Sequence, residues 1–312
     1  MDLAIRKLHP LFAAEVRGAD LSREVDPATR DAIEQAMDAY AVCVLPQQNI
    51  DDERQVAFSR LYGPLENASA VVHQRKAGVM GLRVKLPEIF DISNLDENGN
   101  LLANDDARWQ YRQANELWHS DSSFRQKSAT WSLLHARVIP PSGGDTYFAD
   151  TRAAYDALPD AMKQKLDGLQ AEHSIWYSRA QRGGYVPTEV ERAARPPAHH
   201  PLVRQHRGSG RKAQGAVHRF PCFAHHRLAG RRGQGAARRI ARLRHPGALR
   251  LCAQMERRRS GDLGQSLHLA SCDAVSVERS QTRNAPHHGC RYARRYGSCV
   301  TLQVLRSQAT QQ

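Results

Sequence analysis

The chain has 312 residues and a mass of 34.9 kDa, enough for one large domain or two modest ones around a sizeable core. Its mean hydropathy is −0.61, and no apolar run approaches the roughly 20 residues of a membrane helix or forms a signal-peptide stretch at the N-terminus, so the expectation is a cytoplasmic protein with no membrane partner. Basic residues outnumber acidic ones 45 to 32, a net charge of +13 that ordinarily suggests an anionic partner such as nucleic acid.

The first 212 residues carry well-marked elements. Asp26-Pro27 predicts a helix start, because aspartate caps and proline suits the first helical position. Ile33, Ala36, Met37 and Tyr40 follow at helical spacing. Ala41-Val42-Cys43-Val44-Leu45, closed by Pro46, predicts a buried strand in which Cys43 is a small hydrophobe. Asp51-Asp52 predicts a second helix start, with Ala57, Phe58, Leu61 and Tyr62 along it and a stop at Gly63-Pro64. Ile92 to Leu95 runs into the turn-forming Asp96-Glu97-Asn98-Gly99-Asn100. Trp131 to Ile139 is strand-like, 140–144 is a loop, Asp150 caps a helix through Tyr155, and Pro159 opens another carrying Met162, Leu166 and Leu169. The pattern predicts a mixed, β-centred domain with flanking helices.

Residues 213–312 differ. The first 212 residues hold 27 basic and 28 acidic side chains; the last 100 hold 18 and 4, and all 18 are arginine. Gly, Arg, Ala and His alternate there without a period of 2 or 3.6, as in Arg231-Arg232-Gly233-Gln234-Gly235, so the stretch offers little apolar surface to offset its ordering entropy. No core-forming element is predicted after about residue 212. Five of the six cysteines, Cys222, Cys252, Cys272, Cys290 and Cys299, lie in this part without a C-x-x-C pair, which argues against a zinc or disulfide framework.

The chemistry concentrates in Leu117-Trp118-His119-Ser120-Asp121-Ser122-Ser123-Phe124. In an extended segment His-x-Asp puts an imidazole and a carboxylate on one face. With a distant second histidine they would complete a two-His-one-carboxylate triad that leaves iron(II) open positions. His9, His73, His135 and His173 read more simply as surface or hydrogen-bonded histidines, Trp118 as core packing beside the motif, and Gly143-Gly144 alone as a turn.

Longer stretches place this motif in a context. Leu8-His9-Pro10-Leu11-Phe12-Ala13-Ala14, Phe58 to Glu66, Asp91-Ile92-Ser93-Asn94, the His119 motif, Pro140 to Thr146, Arg152 to Pro159 and Pro201-Leu202-Val203-Arg204 are ordered and collinear. On these stretches residues 1–212 resemble the iron(II)/2-oxoglutarate-dependent dioxygenases of the taurine and 2,4-dichlorophenoxyacetate dioxygenase family, and the Trp-His-Ser-Asp-Ser-Ser-Phe wording favours the second branch. The resemblance implies a double-stranded β-helix (jelly roll) with flanking helices, its C-terminal third incomplete or disordered. It implies Fe(II) held by His119 and Asp121, 2-oxoglutarate as co-substrate with Thr146 on one of its carboxylates, and Asn115 lining the substrate pocket. The implied reaction consumes O₂ and 2-oxoglutarate and hydroxylates the carbon beside the ether oxygen of a small aromatic carboxylic acid, a phenoxyalkanoic acid. The hemiacetal then collapses to a phenol and an oxo acid.

The family pattern also needs a distal histidine and an arginine for the far carboxylate of 2-oxoglutarate, in a segment of the type W-x-V-G-D-L-V-x-W-D-N-R-C-x-x-H-R. No such segment is present. Reading the codons of Met255 to Ser271 one nucleotide later, with permitted synonymous codons, gives W-S-V-G-D-L-V-I-W-D-N-R-C-T-L-H-R. The histidine arises where codons 270 and 271 overlap. The expected organisation is therefore 1–212, the N-terminal two-thirds of a dioxygenase domain, and 213–312, an arginine-rich tail read out of frame after a shift near codons 212–214. Among the tail's histidines, His218, His225, His226, His268, His287 and His288 are offered as substitutes for the distal ligand, with nothing in the sequence placing any of them opposite His119. The competing reading is a nucleic-acid-binding protein with a basic tail. Only Phe220, Phe223, Tyr292 and Tyr296 interrupt the tail as aromatic platforms, which argues against it. The sequence does not fix an oligomeric state.

Overall fold

The computed structural model describes residues 3–66, 84, 86–138, 145–182, 184–207, and the strand segments 217–221, 226–228, 251–252, 267–271, 274–279 and 298–304. The predicted helix starts form as expected. Helix α1 (Pro27–Tyr40) begins where Asp26 Oδ1 accepts from the Ala28 and Thr29 amides, each at 3.0 Å. Helix α2 (Asp52–Arg60) begins where Asp51 Oδ1 accepts from the Arg54 amide at 2.7 Å. Asp96 Oδ1 holds its turn by accepting from the Asn98 and Asn100 amides at 2.9 and 2.7 Å. The loop expected over 140–144 lies outside the described residues.

The main sheet has seven strands in the order β1-β2-β3-β13-β5-β15-β4. These are β1 (Ala4–Lys7), β2 (Ala14–Arg17), β3 (Val42–Leu45), β4 (Phe90–Ile92), β5 (Trp131–Val138), β13 (Leu267–Ser271) and β15 (Ser298–Val304). All neighbours are antiparallel except β2 and β3. Strand β5 is central: Leu133 is in register with Leu269 of β13 on one side and Leu302 of β15 on the other. Helix α1 contributes buried Ile33, Ala36 and Met37 to the core formed with Cys43, Leu45, Trp131 and Leu133. Cys43 is fully buried, which pushes its thiol up to about 12 and makes it the inert hydrophobe expected. Leu133 is fully buried in this cluster, so Leu133→Ala is expected to cost about 2–5 kcal/mol in reversible urea unfolding.

Smaller sheets complete the fold. One pairs β6 (Asp145–Asp150) with β12 (Leu251–Cys252) and β14 (Ala274–Arg279). Another has the order β11-β7-β8, from His226–Leu228, Gln170–His173 and Ala198–Pro201, and a third pairs β9 (Val203–Arg207) with β10 (Val217–Pro221). Strands thus occur beyond residue 212, where the sequence predicts no core-forming element. Short alternations such as Val300-Thr301-Leu302-Gln303-Val304 are present there. A strand pairs through backbone groups, so four or five residues beside a waiting edge suffice without a long periodic run. Among the described residues no helix is long and apolar enough to cross a membrane.

Candidate active site

Helix α3 (Ala107–Arg112) passes directly into a 3₁₀ turn, Gln113–Glu116, and the chain then extends into the His119 motif. The His119 ring is mostly buried and its Nδ1 lies 2.7 Å from the Leu117 carbonyl oxygen. A carbonyl only accepts, so Nδ1 carries the proton and Nε2 faces Asp121 Oδ1, 3.4 Å away. Burial favours the neutral ring, but the Asp121 carboxylate, by hydrogen bond and charge, and the Leu117 carbonyl together outweigh it and raise the pKa of His119. A proton shared between an imidazole and a carboxylate occupies the place that a divalent cation takes when both become ligands. The backbone hydrogen bond that fixes the ring is the arrangement expected of a ligating histidine.

A buried carboxylate braces the following turn. Ser122 adopts a left-handed backbone, φ 57°, which costs a non-glycine residue on the order of 1 kcal/mol. Its Oγ donates to Glu66 Oε1 at 2.6 Å, and Arg125 Nε lies 3.1 Å from the same oxygen. Burial raises the pKa of Glu66, and the Arg125 charge and the Ser122 hydroxyl oppose it. Glu66 ends the Gly63-Pro64-Leu65-Glu66 stretch, so this contact ties the segment that follows α2 to the motif.

Asn115 sits in the 3₁₀ turn four residues before His119, and its Oδ1 accepts from Arg179 Nη1 at 3.0 Å. Arg179 belongs to α6 (Ile175–Gln181), which follows α4 (Thr151–Asp156) and α5 (Asp160–Leu166). Its guanidinium lies 4.2 Å from the centroid of the Tyr111 ring. Its charge is felt at His119, where it opposes protonation.

Thr146 is half-buried on β6, in register with Glu278 of β14, and β14 runs beside the 3₁₀ turn. It makes no hydrogen bond to His119 or Asp121 among the described residues. Gly143-Gly144 and His73 lie outside the described residues. Of the other histidines, His9 Nδ1 accepts from the Leu11 amide at 3.3 Å, His135 Nε2 lies 3.1 Å from the Gln48 carbonyl oxygen, and His173 is fully buried against His200, ring centroids 5.3 Å apart. Trp118, expected in the core, is only half-buried. His218 falls on β10, His226 on β11 and His268 on β13, whereas His225, His287 and His288 lie outside the described residues. Among the described residues no group of three or more His, Cys, Asp or Glu side chains is placed to hold a metal ion. The structure therefore brings two of the three expected ligand types together. Glu66 and Arg179 escaped the sequence reading. Glu66 had a signal, in the collinear stretch it closes; Arg179 had none, because only folding carries it to Asn115, 64 positions away.

Residues 4–244 match the profile of the family described as "Taurine catabolism dioxygenase TauD, TfdA family". An alpha-ketoglutarate-dependent 2,4-dichlorophenoxyacetate dioxygenase of Cupriavidus pinatubonensis is 45% identical over 212 residues, covering 68% of this chain and 72% of that protein. An (S)-phenoxypropionate/alpha-ketoglutarate-dioxygenase of Sphingobium herbicidovorans is 32% identical over 217 residues, covering 67% and 68%. Among solved structures, AAD-2 in complex with Mn(II) and N-oxalylglycine superimposes with a TM-score of 0.79 at 30% identity, over 98% of this chain and 99% of that one.

Proposed function

The chain belongs to the TauD, TfdA family of Fe(II)- and 2-oxoglutarate-dependent dioxygenases, with the jelly-roll fold of its structural neighbours, and on that footing we propose that it descends from an enzyme cleaving phenoxyalkanoic acids. The observation that carries the substrate class is the 45% identity to a 2,4-dichlorophenoxyacetate dioxygenase. When bound, iron with 2-oxoglutarate supplies the O₂-dependent oxidation of the carbon beside the ether oxygen.

The chain's own residues have separate tasks. His119 Nε2 and Asp121 are the metal ligands, supported by their 3.4 Å approach and by the Leu117 carbonyl that fixes the ring. Thr146 takes a carboxylate of 2-oxoglutarate. Asn115, one turn upstream of the motif, lines the substrate side. Residues 1–212 supply these groups, and 213–312 is an out-of-frame replacement for the segment that would supply the distal histidine and the 2-oxoglutarate arginine. Ala270, the first of the two positions whose codons overlap to give that histidine in the shifted reading, lies on β13 in register with Val42 and Ser132. The chain as it stands is therefore a defective dioxygenase. The substrate class is tested on a chain carrying the shifted-frame sequence after residue 212. It is expected to release 2,4-dichlorophenol from 2,4-dichlorophenoxyacetate and to leave taurine untouched. Turnover of taurine in preference would overturn the reading.

A further inference from the structure

On α6, Trp176 and Arg179 are three residues apart and so share a helix face. They are 9% and 8% exposed. Each presents a buried side-chain N–H, Trp176 Nε1 and Arg179 Nε, with no hydrogen-bond partner among the described residues. Elsewhere on the Arg179 fork, Nη1 donates to Asn115 at 3.0 Å and the guanidinium lies 4.2 Å from the Tyr111 centroid. Among the described residues no carboxylate is paired with Arg179. A guanidinium cannot shed its charge, and a buried cation without a counter-ion is unfavourable.

The surroundings narrow what the missing acceptor is. Tyr185 meets Tyr111 edge-on at 5.3 Å and stacks on Trp176 at 6.4 Å. Arg195 adds a second positive charge, its Nη1 donating to the Tyr111 hydroxyl at 3.2 Å and its guanidinium 5.7 Å from the Trp176 ring. Aromatic faces and positive charge meet beside the His119 motif.

We infer that Trp176 Nε1 and Arg179 Nε form a carboxylate subsite that takes the acid group of the aromatic substrate. This rests on the proposed substrate class and adds the residues that select it. A purely bracing role for Arg179 is already satisfied by Asn115 and Tyr111, leaves both N–H groups unused, and gives no preference for acids.

Calorimetric titration of the 312-residue protein, without added metal, separates these cases. The ligands are 2,4-dichlorophenoxyacetate, its neutral alcohol analogue 2-(2,4-dichlorophenoxy)ethanol, and 2-oxoglutarate. The acid is expected to bind roughly tenfold or more tighter than the alcohol, from two donors meeting an anion. Arg179→Gln is expected to abolish that preference. Trp176→Phe, which keeps the ring and removes only the N–H, should weaken the acid several-fold and leave the alcohol unchanged. Thermal melts of both variants identify any loss of fold, and Trp176→Phe alone tests the subsite if Arg179→Gln does not fold. Equal binding of acid and alcohol, or an acid preference that survives both substitutions, would overturn the subsite while leaving the substrate class intact. Arg179-dependent binding of 2-oxoglutarate but not of the aromatic acid would support a carboxylate subsite and overturn the substrate class. No Arg179-dependent binding of any of the three overturns the subsite.

Discussion

Phenol release from 2,4-dichlorophenoxyacetate by the 312-residue protein is expected to run more than about a thousandfold slower than by a chain carrying the shifted-frame sequence after residue 212. Hydrogen-bond partners of metal ligands are themselves worth roughly 10–100-fold, and the proposed defect removes both a ligand and the arginine that would anchor 2-oxoglutarate. On that proposal His119 and Asp121, 3.4 Å apart, would be the two protein groups left to hold the metal. The measurement is succinate and phenol formed with saturating Fe(II) and 2-oxoglutarate. Equal rates for the two chains would show that the tail supplies the missing groups, and the proposed defect would be abandoned. Sequencing the DNA across codons 205–220 addresses the same point independently.

The second large effect concerns the tail's backbone rather than its side chains. A chain ending at Lys212 is expected to aggregate or to unfold without a cooperative transition. In the order β1-β2-β3-β13-β5-β15-β4, removing β13 and β15 divides the main sheet into β1-β2-β3, an isolated β5 and an isolated β4. Strand β6 loses both neighbours as well, β12 and β14. Bare edges on either side of β5, with fully buried Leu133 between them, make a template for association between chains. A single cooperative urea transition for residues 1–212 would contradict this and show that the first part folds independently. The two predictions are compatible: a segment can complete a ladder through its amides while lacking the side chains of a catalytic site.

The uneven charge also takes on a different meaning. A net +13 concentrated in the last 100 residues first suggested an anionic macromolecular partner. On the proposed frameshift, the arginines of the tail are a property of its reading frame rather than a binding surface. Among the described residues, the cations at the candidate site, Arg125, Arg179 and Arg195, belong to the first 212 residues.

The sequence alone determined whatever depends on neighbouring residues. The Asp26 and Asp51 caps, the Asp96 turn, the buried Cys43 strand and the pairing of His119 with Asp121 need only a few consecutive side chains and the backbone between them. Tertiary structure alone decided what depends on distant partners. Glu66 bracing Ser122, Arg179 reaching Asn115 and the placement of β13 and β15 on either side of β5 join residues 56 to more than 100 positions apart. The physical reason is that a cap or a turn is paid for locally, whereas burying Arg179 on Tyr111 or closing a sheet around β5 is favourable only after the whole fold has brought the two sides together.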